Sequence, residues 1–427
     1  MTDGRDSGRT LAGRIAAPLE RLPSRVRWSF VDQALISGVN ALTGIILVRS
    51  LGLHAFGVFS MVLIGIQFLG VPQASAIFAP MMSHFDQRGR ISRSSYLAAM
   101  LLHQSAYSAV VVMLALVAFL VLGEGTGVDF VLVAAVTIAN QFQDLSRRFF
   151  YVTERPLLAL VSDVIAYGAR FAAILTFAYL GSLTIDLVWL IMIVTSLAAI
   201  VLWIPDLSRI DLSWEPIAAV TRSHRKTATW LLGSSLAAVF SDNSFVMLVI
   251  GAVLGPAALG AARAVQTIVQ VINVLHQSLE NFVPSAATNR LMEGGTPALM
   301  RYVTNVSLIG VAGIAAVIGT LMIFADPVMQ FVYGNSFADQ RALILAFGTY
   351  SVLAHIGFVM IAGLRALDAA RLVFIPQVVL SATSMVFAIY TVNVWGIVGA
   401  LYALLVLRAL FTAYLTLALR KRAKAHG

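Results

Sequence analysis

The sequence contains no cysteine and few charged residues. None of its 427 residues is cysteine, so disulfide bonds, thiol catalysis and thiolate metal sites are excluded. Charged residues make up 11% of the chain, whereas globular proteins contain about 25%. Hydrophobic residues make up 59%, and the mean hydropathy is +0.88. These values are typical of a protein that crosses a membrane many times.

Long apolar segments recur along the whole chain. A membrane-spanning helix needs about 20 apolar residues. Twelve segments meet this requirement, near 28–48, 57–79, 97–122, 130–150, 157–179, 187–204, 229–250, 260–283, 303–324, 342–364, 372–392 and 396–419. The fourth has the weakest pattern, because amide and charged residues crowd its second half. The sequence therefore predicts an all-α polytopic membrane protein with twelve transmembrane helices.

The basic residues lie on one side of these spans. The tail 1–27, the loops after the even-numbered spans and the C-terminus hold 24 of the 29. The opposite side has only Arg49 and Arg341. Because cytoplasmic loops carry the excess of Arg and Lys, both termini are predicted to be cytoplasmic. These loops also account for the net charge of +9, so no nucleic-acid partner is expected. The first span is too long for a signal peptide, and we expect it to remain uncleaved.

The longest internal loop divides the chain in two. A cytoplasmic loop at 205–228 separates a lobe of six spans at 28–204 from a second lobe of six at 229–419, and a basic tail follows at 420–427.

The two halves repeat at a shift of 203 residues. The matches are Leu51-Gly52 with Leu254-Gly255, Gly57 with Gly260, Asn40 with Asn243, and Gln67 with Gln270; Pro80 and Pro284 are expected to end equivalent helices. Six helices per half predict a parallel repeat about an axis along the membrane normal. Two such lobes with a site between them are the arrangement expected of an alternating-access transporter, with the lobes rocking about 205–228.

A polar stripe runs along the eighth span, at 261–284. Its members are Arg263, Gln266, Gln270, Asn273, Gln277 and Glu280. Their spacing of three and four residues places them within about 100° of one helix face. Such a face cannot contact hydrocarbon. The stripe therefore predicts a helix that lines a water-filled cavity, with Arg263 able to hold a phosphate through two parallel hydrogen bonds.

Other polar residues within or beside spans extend the candidate site. An ionisable group inside a span costs about 2.5–3.5 kcal/mol, which makes it a functional candidate. The candidates for substrate binding are Arg49, Arg170, Arg408, Asn40 and Gln67, and those for binding a coupling H⁺ or Na⁺ are Asp242, Glu280 and Asp32. Two alternatives remain open. In the first, Arg263 pairs with Asp242 or Glu280. In the second, the charged residues near span ends, which are Asp32, Arg49, Arg147 and Arg148, extend to the membrane surface.

Metal, nucleotide and enzymatic functions are weakly supported. His276 and Glu280 have the spacing of two ligands on one helix face, but no third ligand is suggested nearby, so no metal site is predicted. No phosphate-binding loop that would indicate ATP hydrolysis is present. The outward loops are short, about 7 to 17 residues by these span limits, whereas a polytopic glycan-handling enzyme is expected to have an extended one. We therefore predict neither a cofactor nor an enzyme.

Several glycine-rich segments resemble those of a known superfamily. They are RSLGLHAFGVFS (49–60), VLGPAALGAARAVQ (253–266), VPSAA (283–287), VYGNSF (332–337), LRALDAAR (364–371) and VWGIVGALYALL (394–405). In this order they resemble the multidrug/oligosaccharidyl-lipid/polysaccharide exporter superfamily, and within it the bacterial polysaccharide-export flippases. The resemblance implies a V-shaped pair of six-helix bundles around a central cavity in the bacterial inner membrane.

The resemblance also implies a substrate and partners. It implies transfer of an undecaprenyl-pyrophosphate-linked oligosaccharide between leaflets, with Arg263 as the main anion-binding residue and a glycan polymerase and glycosyltransferases as further partners. Lipid-II flippases of the superfamily have fourteen spans, which argues against that branch. The drug/cation antiporters depend on membrane carboxylates, so Asp32 and Asp242 keep an ion-coupled multidrug antiporter as the main alternative.

Overall fold

The computed structural model describes residues 24–84, 91–122, 129–240, 242–269, 279, 283–333, 341–369 and 371–426. This part of the chain is helical and contains no β-strand. The helices are α1 (Ser24–Gln73), α2 (Ala79–His84), α3 (Arg93–Leu122), α4 (Phe130–Val152), α5 (Pro156–Asp163), α6 (Ala169–Tyr179), α7 (Ile185–Ile200), α8 (Ile204–Leu207), α9 (Trp214–Val239), α10 (Asn243–Leu254), α11 (Pro256–Val269), α12 (Val283–Ile323), α13 (Ala325–Tyr333), α14 (Arg341–Ala366) and α15 (Arg371–His426). A π-helical turn joins α1 to α2 at Ala74–Phe78, and another joins α5 to α6 at Val164–Gly168.

The twelve predicted spans correspond to these helices. Seven helical segments of the described chain are long and apolar enough to cross a membrane. Two of them bend at a glycine, Gly52 in α1 and Gly396 in α15, so each contains two spans. The fourth span is α4, the seventh is α9 with α10, and the eighth begins as α11. The prediction of an all-α fold with twelve spans is confirmed.

Most of the predicted loop at 205–228 is helical. Only residues 208–213 lie outside helices, because α8 extends to Leu207 and α9 begins at Trp214. The charged residues of 214–228 make this stretch too polar for a span, but they do not prevent a helix. Its apolar positions are buried at Ile217 and Val220. The first half of α9 is therefore an amphipathic helix that packs on the first lobe.

Two side-chain contacts hold α9 on the first lobe. The hydroxyl of Tyr96 lies 3.0 Å from Nε2 of His224, and Nε2 of His103 lies 2.9 Å from Oγ1 of Thr221. Both join the start of α3 to α9. The chain thus stays in contact with the first lobe through most of the stretch predicted as a loop.

The seventh span is broken, which the sequence prediction missed. Instead of one helix at 229–250, α9 ends at Val239 and α10 begins at Asn243. Oδ1 of Asp242 accepts a hydrogen bond from the amide of Ser244 at 2.7 Å. Aspartate is a preferred residue at a helix N-terminus, so Asp242 starts a new helix inside the span.

The predicted internal repeat is visible in the backbone. Gly52 has φ 77° and ψ 172°, and Gly255, 203 positions later, has φ 90° and ψ 165°. Positive φ favours glycine, so the two halves bend at equivalent glycines. Pro80 does not end a helix as expected, because the helical stretch continues from the π-helical turn at Ala74–Phe78 through α2 to His84. Pro284 lies at the start of the described part of α12, and the residues directly before Val283 lie outside the described chain.

The halves also meet through equivalent residues. A Cβ atom on Gly57 would lie 1.7 Å from the carbonyl oxygen of Pro256, and one on Gly260 would lie 2.2 Å from that of Leu53. Pro256 and Gly260 follow Leu53 and Gly57 by 203 positions. The contact between α1 and α11 is therefore made twice, as expected for halves related by a twofold axis. We call it the glycine crossing.

A second repeated element lies at the other end of the lobes. Glu154 has φ 63° and Asp368 has φ 52°. In both cases the amide of the next residue donates to the carbonyl five residues earlier, at 2.8 and 2.9 Å. This is the Schellman ending of a helix, made by non-glycine residues in both halves. Sequence comparison missed it because the two residues differ.

Among the described residues, the lobes share a core on the side away from the basic loops and not on the basic side. On the side away from the basic loops, apolar residues of both lobes form one cluster that includes Phe56, Phe59, Val246 and Leu259. On the basic side each lobe has its own cluster. The lobes are therefore packed together on the side opposite the basic loops and separately on the basic side.

A tight contact inside the second lobe allows a stability test. A Cβ atom on Gly310 of α12 would lie 2.0 Å from Nε2 of His355, a buried side chain of α14. Gly310→Ala is therefore expected to destabilise the protein by about 1–3 kcal/mol through overpacking. His355→Ala removes the ring, so Gly310→Ala should cost much less in that background. Thermal unfolding of the four proteins in detergent measures this, and an equal cost in both backgrounds would contradict it.

Candidate functional site

A cavity of about 370 Å³ lies within the first lobe. This volume is in the range of small-molecule binding sites. Its walls come from the first, second, fourth, fifth and sixth spans, and from two residues of α11, Arg263 and Thr267. The sequence predicted a site between the lobes, whereas the second lobe contributes only this one helix to the described lining. Polar residues of the first, second and fourth spans, among them Asn40, Gln67 and Asn140, line this cavity.

Amide side chains form much of the polar lining. They are Asn40, Gln67, Gln73, Asn140, Gln141 and Gln143. Gln73 donates through Nε2 to Oε1 of Gln104 at 2.7 Å and to the carbonyl of Gln141 at 2.9 Å. Within the described residues, Nε2 of Gln141 is buried and has no hydrogen-bond partner. Such a group is costly unless a bound molecule or water pairs with it, so the amide lining offers free hydrogen-bonding capacity.

Arg170 contributes one guanidinium group to the cavity. The residue is 7% exposed. Its Nη2 donates to Oδ1 of Asn140 at 3.1 Å and to Oγ of Ser196 at 3.0 Å, and its guanidinium lies 5.0 Å from the centre of the Tyr167 ring. No carboxylate of the described chain forms an ion pair with it. The direct hydrogen-bond partners that hold the group in place are therefore neutral.

Arg263 contributes the second guanidinium group, from the other lobe. It is 9% exposed, and its Nη1 donates to Oε1 of Gln266 at 2.6 Å. Across the residues that the structure covers, it has no carboxylate in ion-pair distance. Its equivalent in the first half, Ser60, also lines the cavity. Arg263 therefore carries a charge from the second lobe into a cavity of the first.

The carboxylates near the cavity, unlike the two arginines, have ion-pair partners in the described chain. Oδ2 of Asp163, a fully buried residue, lies 2.5 Å from Nε of Arg147, and Oδ1 accepts from Nε2 of Gln143 at 2.8 Å. Asp144 lines the cavity and lies 3.7 Å from Arg147 and 3.8 Å from Arg148. Arg147 therefore pairs inside the lobe and does not extend to the membrane surface, which was an alternative from the sequence. The described cavity carries a positive excess.

Two π-helical turns lie next to polar side chains at the cavity, those of Gln73 and Asp163. The first turn begins directly after Gln73 and the second directly after Asp163. A π turn adds one residue to a helical turn and redirects the side chains that follow, often at functional sites. Neither turn has a recognisable sequence signal, so this feature was not predictable.

Four of the predicted binding residues line the cavity: Arg263, Arg170, Asn40 and Gln67. Two others lie elsewhere. Arg49 is exposed at the far end of the first span. Arg408 lies in the second lobe, with its guanidinium 5.7 Å from the Tyr350 ring and 5.8 Å from the Phe411 ring.

The remaining predicted residues divide into two groups. Gln266 holds Arg263 but does not itself line the cavity. Asp242 is exposed at the break in the seventh span. The rest fall outside the described residues or, for Asp32, outside the described side chains: Gln270, Asn273, Gln277, Glu280 and His276. Within the described chain, no group of three side chains is arranged to hold a metal ion.

Comparison with solved structures identifies the fold. The chain is similar to the inward-facing conformation of a multidrug resistance MATE family transporter of the MOP superfamily, with a TM-score of 0.67, 14% identity and coverage of 96% of this chain and 98% of that one. For an outward-facing structure of a transporter with the same description, the TM-score is 0.59 at 16% identity, with 94% and 96% covered. The chain therefore has the twelve-helix, two-lobe MATE fold.

A third structure has the same fold with a different pocket. It is a MOP superfamily transporter from Pyrococcus furiosus, whose binding pocket is described as having reverse polarity that suggests a different function; the TM-score is 0.60 at 17% identity, with 94% and 96% covered. No family model matches the sequence, and no curated protein matches it. The superfamily-level expectation for the fold is thus met, whereas the polysaccharide-export branch is not shown.

Proposed function

We propose that this chain is a membrane transporter that works by alternating access. The observation that carries the proposal is the cavity of the first lobe, whose positive charge includes Arg263 of the second lobe. The affinity for a solute that contacts both lobes changes when the lobes move. This difference in affinity lets solute binding shift the equilibrium between conformations. The separate cores on the basic side and the higher similarity to an inward-facing transporter support a state open toward the predicted cytoplasm.

The cavity chemistry supports an acidic, hydroxyl-rich substrate. Arg170 and Arg263 lack carboxylate partners in the described chain, so they favour an anion and disfavour an organic cation. The six amide side chains can donate and accept hydrogen bonds, which suits hydroxyl groups. The pyrophosphate and sugar of an undecaprenyl-linked oligosaccharide have both features. In this proposal the head group crosses through the cavity while the polyprenyl chain remains in lipid.

An ion-coupled multidrug antiporter is the second candidate, and the structural comparisons favour it over the first. Solved structures with this fold are described as multidrug resistance transporters. Asp242 at the break of the seventh span, and Asp163, are the described carboxylates that fit ion coupling. The two candidates predict opposite substrate charges, which makes them separable.

Replacing Arg263 tests the proposal and the substrate charge together. Arg263→Glu reverses the charge in the cavity, so we expect it to weaken binding of a polyprenyl pyrophosphate at least about 10-fold, whereas Arg263→Lys should retain part of it. Binding to purified protein in nanodiscs measures this, with membrane insertion checked separately. Arg49→Glu makes the same charge change outside the cavity and serves as the control.

Other outcomes of these experiments would exclude Arg263 from the site or support the multidrug antiporter. Unchanged anion binding by Arg263→Glu would remove this residue from the site. Tighter binding of an organic cation such as ethidium by Arg263→Glu, with no anion binding by the unmodified protein, would support the drug antiporter. In cells, accumulation of lipid-linked oligosaccharide on the cytoplasmic leaflet of a deletion strain supports the flippase, and drug hypersensitivity without a glycan defect supports the antiporter.

A further inference from the structure

A second cavity, of about 400 Å³, lies far from the first, on the basic side of the second lobe. We call it the C-terminal groove. It is lined by Thr296, Pro297 and Met300 of α12 and by Arg420, Ala423 and Lys424 of α15. Nothing in the proposed transport mechanism uses these residues. The groove lies where α12 resumes after its break at Gly294 and Gly295, beside the last turns of α15.

The groove lies at the level of the lipid head groups. The twelfth span ends near Leu419, and Arg420 is the first charged residue after it. Within the same helix, Leu410 and Leu417 are each 64% exposed, as expected for side chains that face acyl chains. The helix continues past the span to His426. Arg420 and Lys424 therefore lie at the boundary between hydrocarbon and water.

The lining combines two cations with an apolar floor. Arg420 and Lys424 are four residues apart, so they lie on the same face of α15. Neither forms an ion pair with a carboxylate of the described chain; Glu293, on the preceding segment of α12, is occupied by Arg290 at 3.2 Å. Between them Ala423 is buried, and Pro297 and Met300 supply apolar surface from α12. Two like charges one turn apart repel each other unless an anion lies between them.

We propose that the C-terminal groove binds the head group of an anionic phospholipid. The phosphate lies against Arg420 and Lys424, and the glycerol and the start of the acyl chains lie on Pro297, Met300 and Ala423. The apolar floor and the depth in the membrane favour a lipid over free phosphate. A lipid in this position joins the end of the twelfth span to the start of the ninth, and so stabilises the second lobe on the side where it has its own core.

A lipid titration tests this inference independently of transport. Purified protein in phosphatidylcholine nanodiscs is supplied with increasing phosphatidylglycerol, and the thermal unfolding midpoint is recorded. We expect the midpoint to rise for the unmodified protein. For Arg420→Ala/Lys424→Ala we expect half-maximal stabilisation to need about 25-fold more phosphatidylglycerol, since each of the two basic residues near an anionic lipid contributes about 5-fold. The control is Arg301→Ala/Lys421→Ala, which removes the same amount of charge from positions outside the groove on the two helices that form it.

Three outcomes would overturn the inference. The first is an equal response of the groove variant and the control variant, which would indicate general attraction to a negative membrane. The second is an equal rise of the midpoint with inorganic phosphate in phosphatidylcholine, which would indicate a phosphate site. The third is no response of the unmodified protein. Each variant is compared with its own midpoint in pure phosphatidylcholine, so a change in intrinsic stability does not affect the result.

Discussion

Alanine in place of Gly57 is expected to prevent the two lobes from packing. Its Cβ atom would lie 1.7 Å from the carbonyl oxygen of Pro256, and the obstacle is backbone that cannot rotate away. The backbones of α1 and α11 must therefore separate, and the shared core on that side of the molecule loosens with them. We expect a loss of about 3 kcal/mol or more, the upper end for overpacking, measured as a lower thermal unfolding midpoint in detergent.

The symmetry of the glycine crossing supplies its own controls. Gly260→Ala should have a similar effect, because its Cβ atom would lie 2.2 Å from the carbonyl oxygen of Leu53. Gly65→Ala in the same helix as Gly57 should be neutral or slightly stabilising, because no atom lies within 4 Å of the added methyl group. If Gly57→Ala unfolded at the temperature of Gly65→Ala, the described contact between the lobes would be incorrect.

Removing Arg147 is expected to be almost as damaging. Asp163 is fully buried, and Nε of Arg147 lies 2.5 Å from its carboxylate. Breaking a buried pair by removing one partner costs about 3–5 kcal/mol, because the other charge is left buried. Arg147→Ala should therefore destabilise the first lobe strongly, whereas Arg147→Met combined with Asp163→Leu should recover most of the loss. Chemical or thermal unfolding of both variants measures the difference.

Arg148 is the matched control for this pair. It lies 3.8 Å from Asp144 and its side chain is 32% exposed, so Arg148→Ala should cost at most about 1 kcal/mol. The double variant Arg147→Met/Asp163→Leu also separates a role of this pair in stability from a role in transport. If it folds well but no longer transports, the Arg147–Asp163 pair has a role in ion or solute movement. Equal losses for Arg147→Ala and the double variant would contradict a buried ion pair.

The hydropathy pattern and the repeated glycines predicted most of the fold. The spans follow from the need to bury apolar side chains in lipid, and the positions of the basic loops predicted the orientation of the spans across the membrane. The match of Gly52 with Gly255 predicted equivalent positions in the two halves, and the structure bends at both, because few residues other than glycine adopt that conformation. The polar stripe correctly predicted that Arg263 does not face lipid, although four of the six residues of the stripe lie outside the described residues.

The features missed from the sequence depend on contacts between distant residues. Arg147 and Asp163 lie on different helices, and no periodicity predicts that they meet. The helix at 214–228 was missed because polarity excludes a span but not a helix. The break at Asp242 was missed because a single capping residue inside an apolar run resembles an isolated membrane carboxylate. The site was expected between the lobes because the repeat predicted two lobes around it, yet the described cavity lies within the first lobe. Arg263 and its equivalent Ser60 both line it, so the halves differ where they meet.

The glycine crossing has a consequence for the origin of the chain. A surface that contacts its own repeat through the same two positions is what a symmetric dimer requires. A half-length ancestor could have assembled through this surface before its gene was duplicated and fused, with both copies inserted in the same orientation. After fusion the two glycines remained constrained by each other's backbone, whereas Ser60 and Arg263 were free to become different.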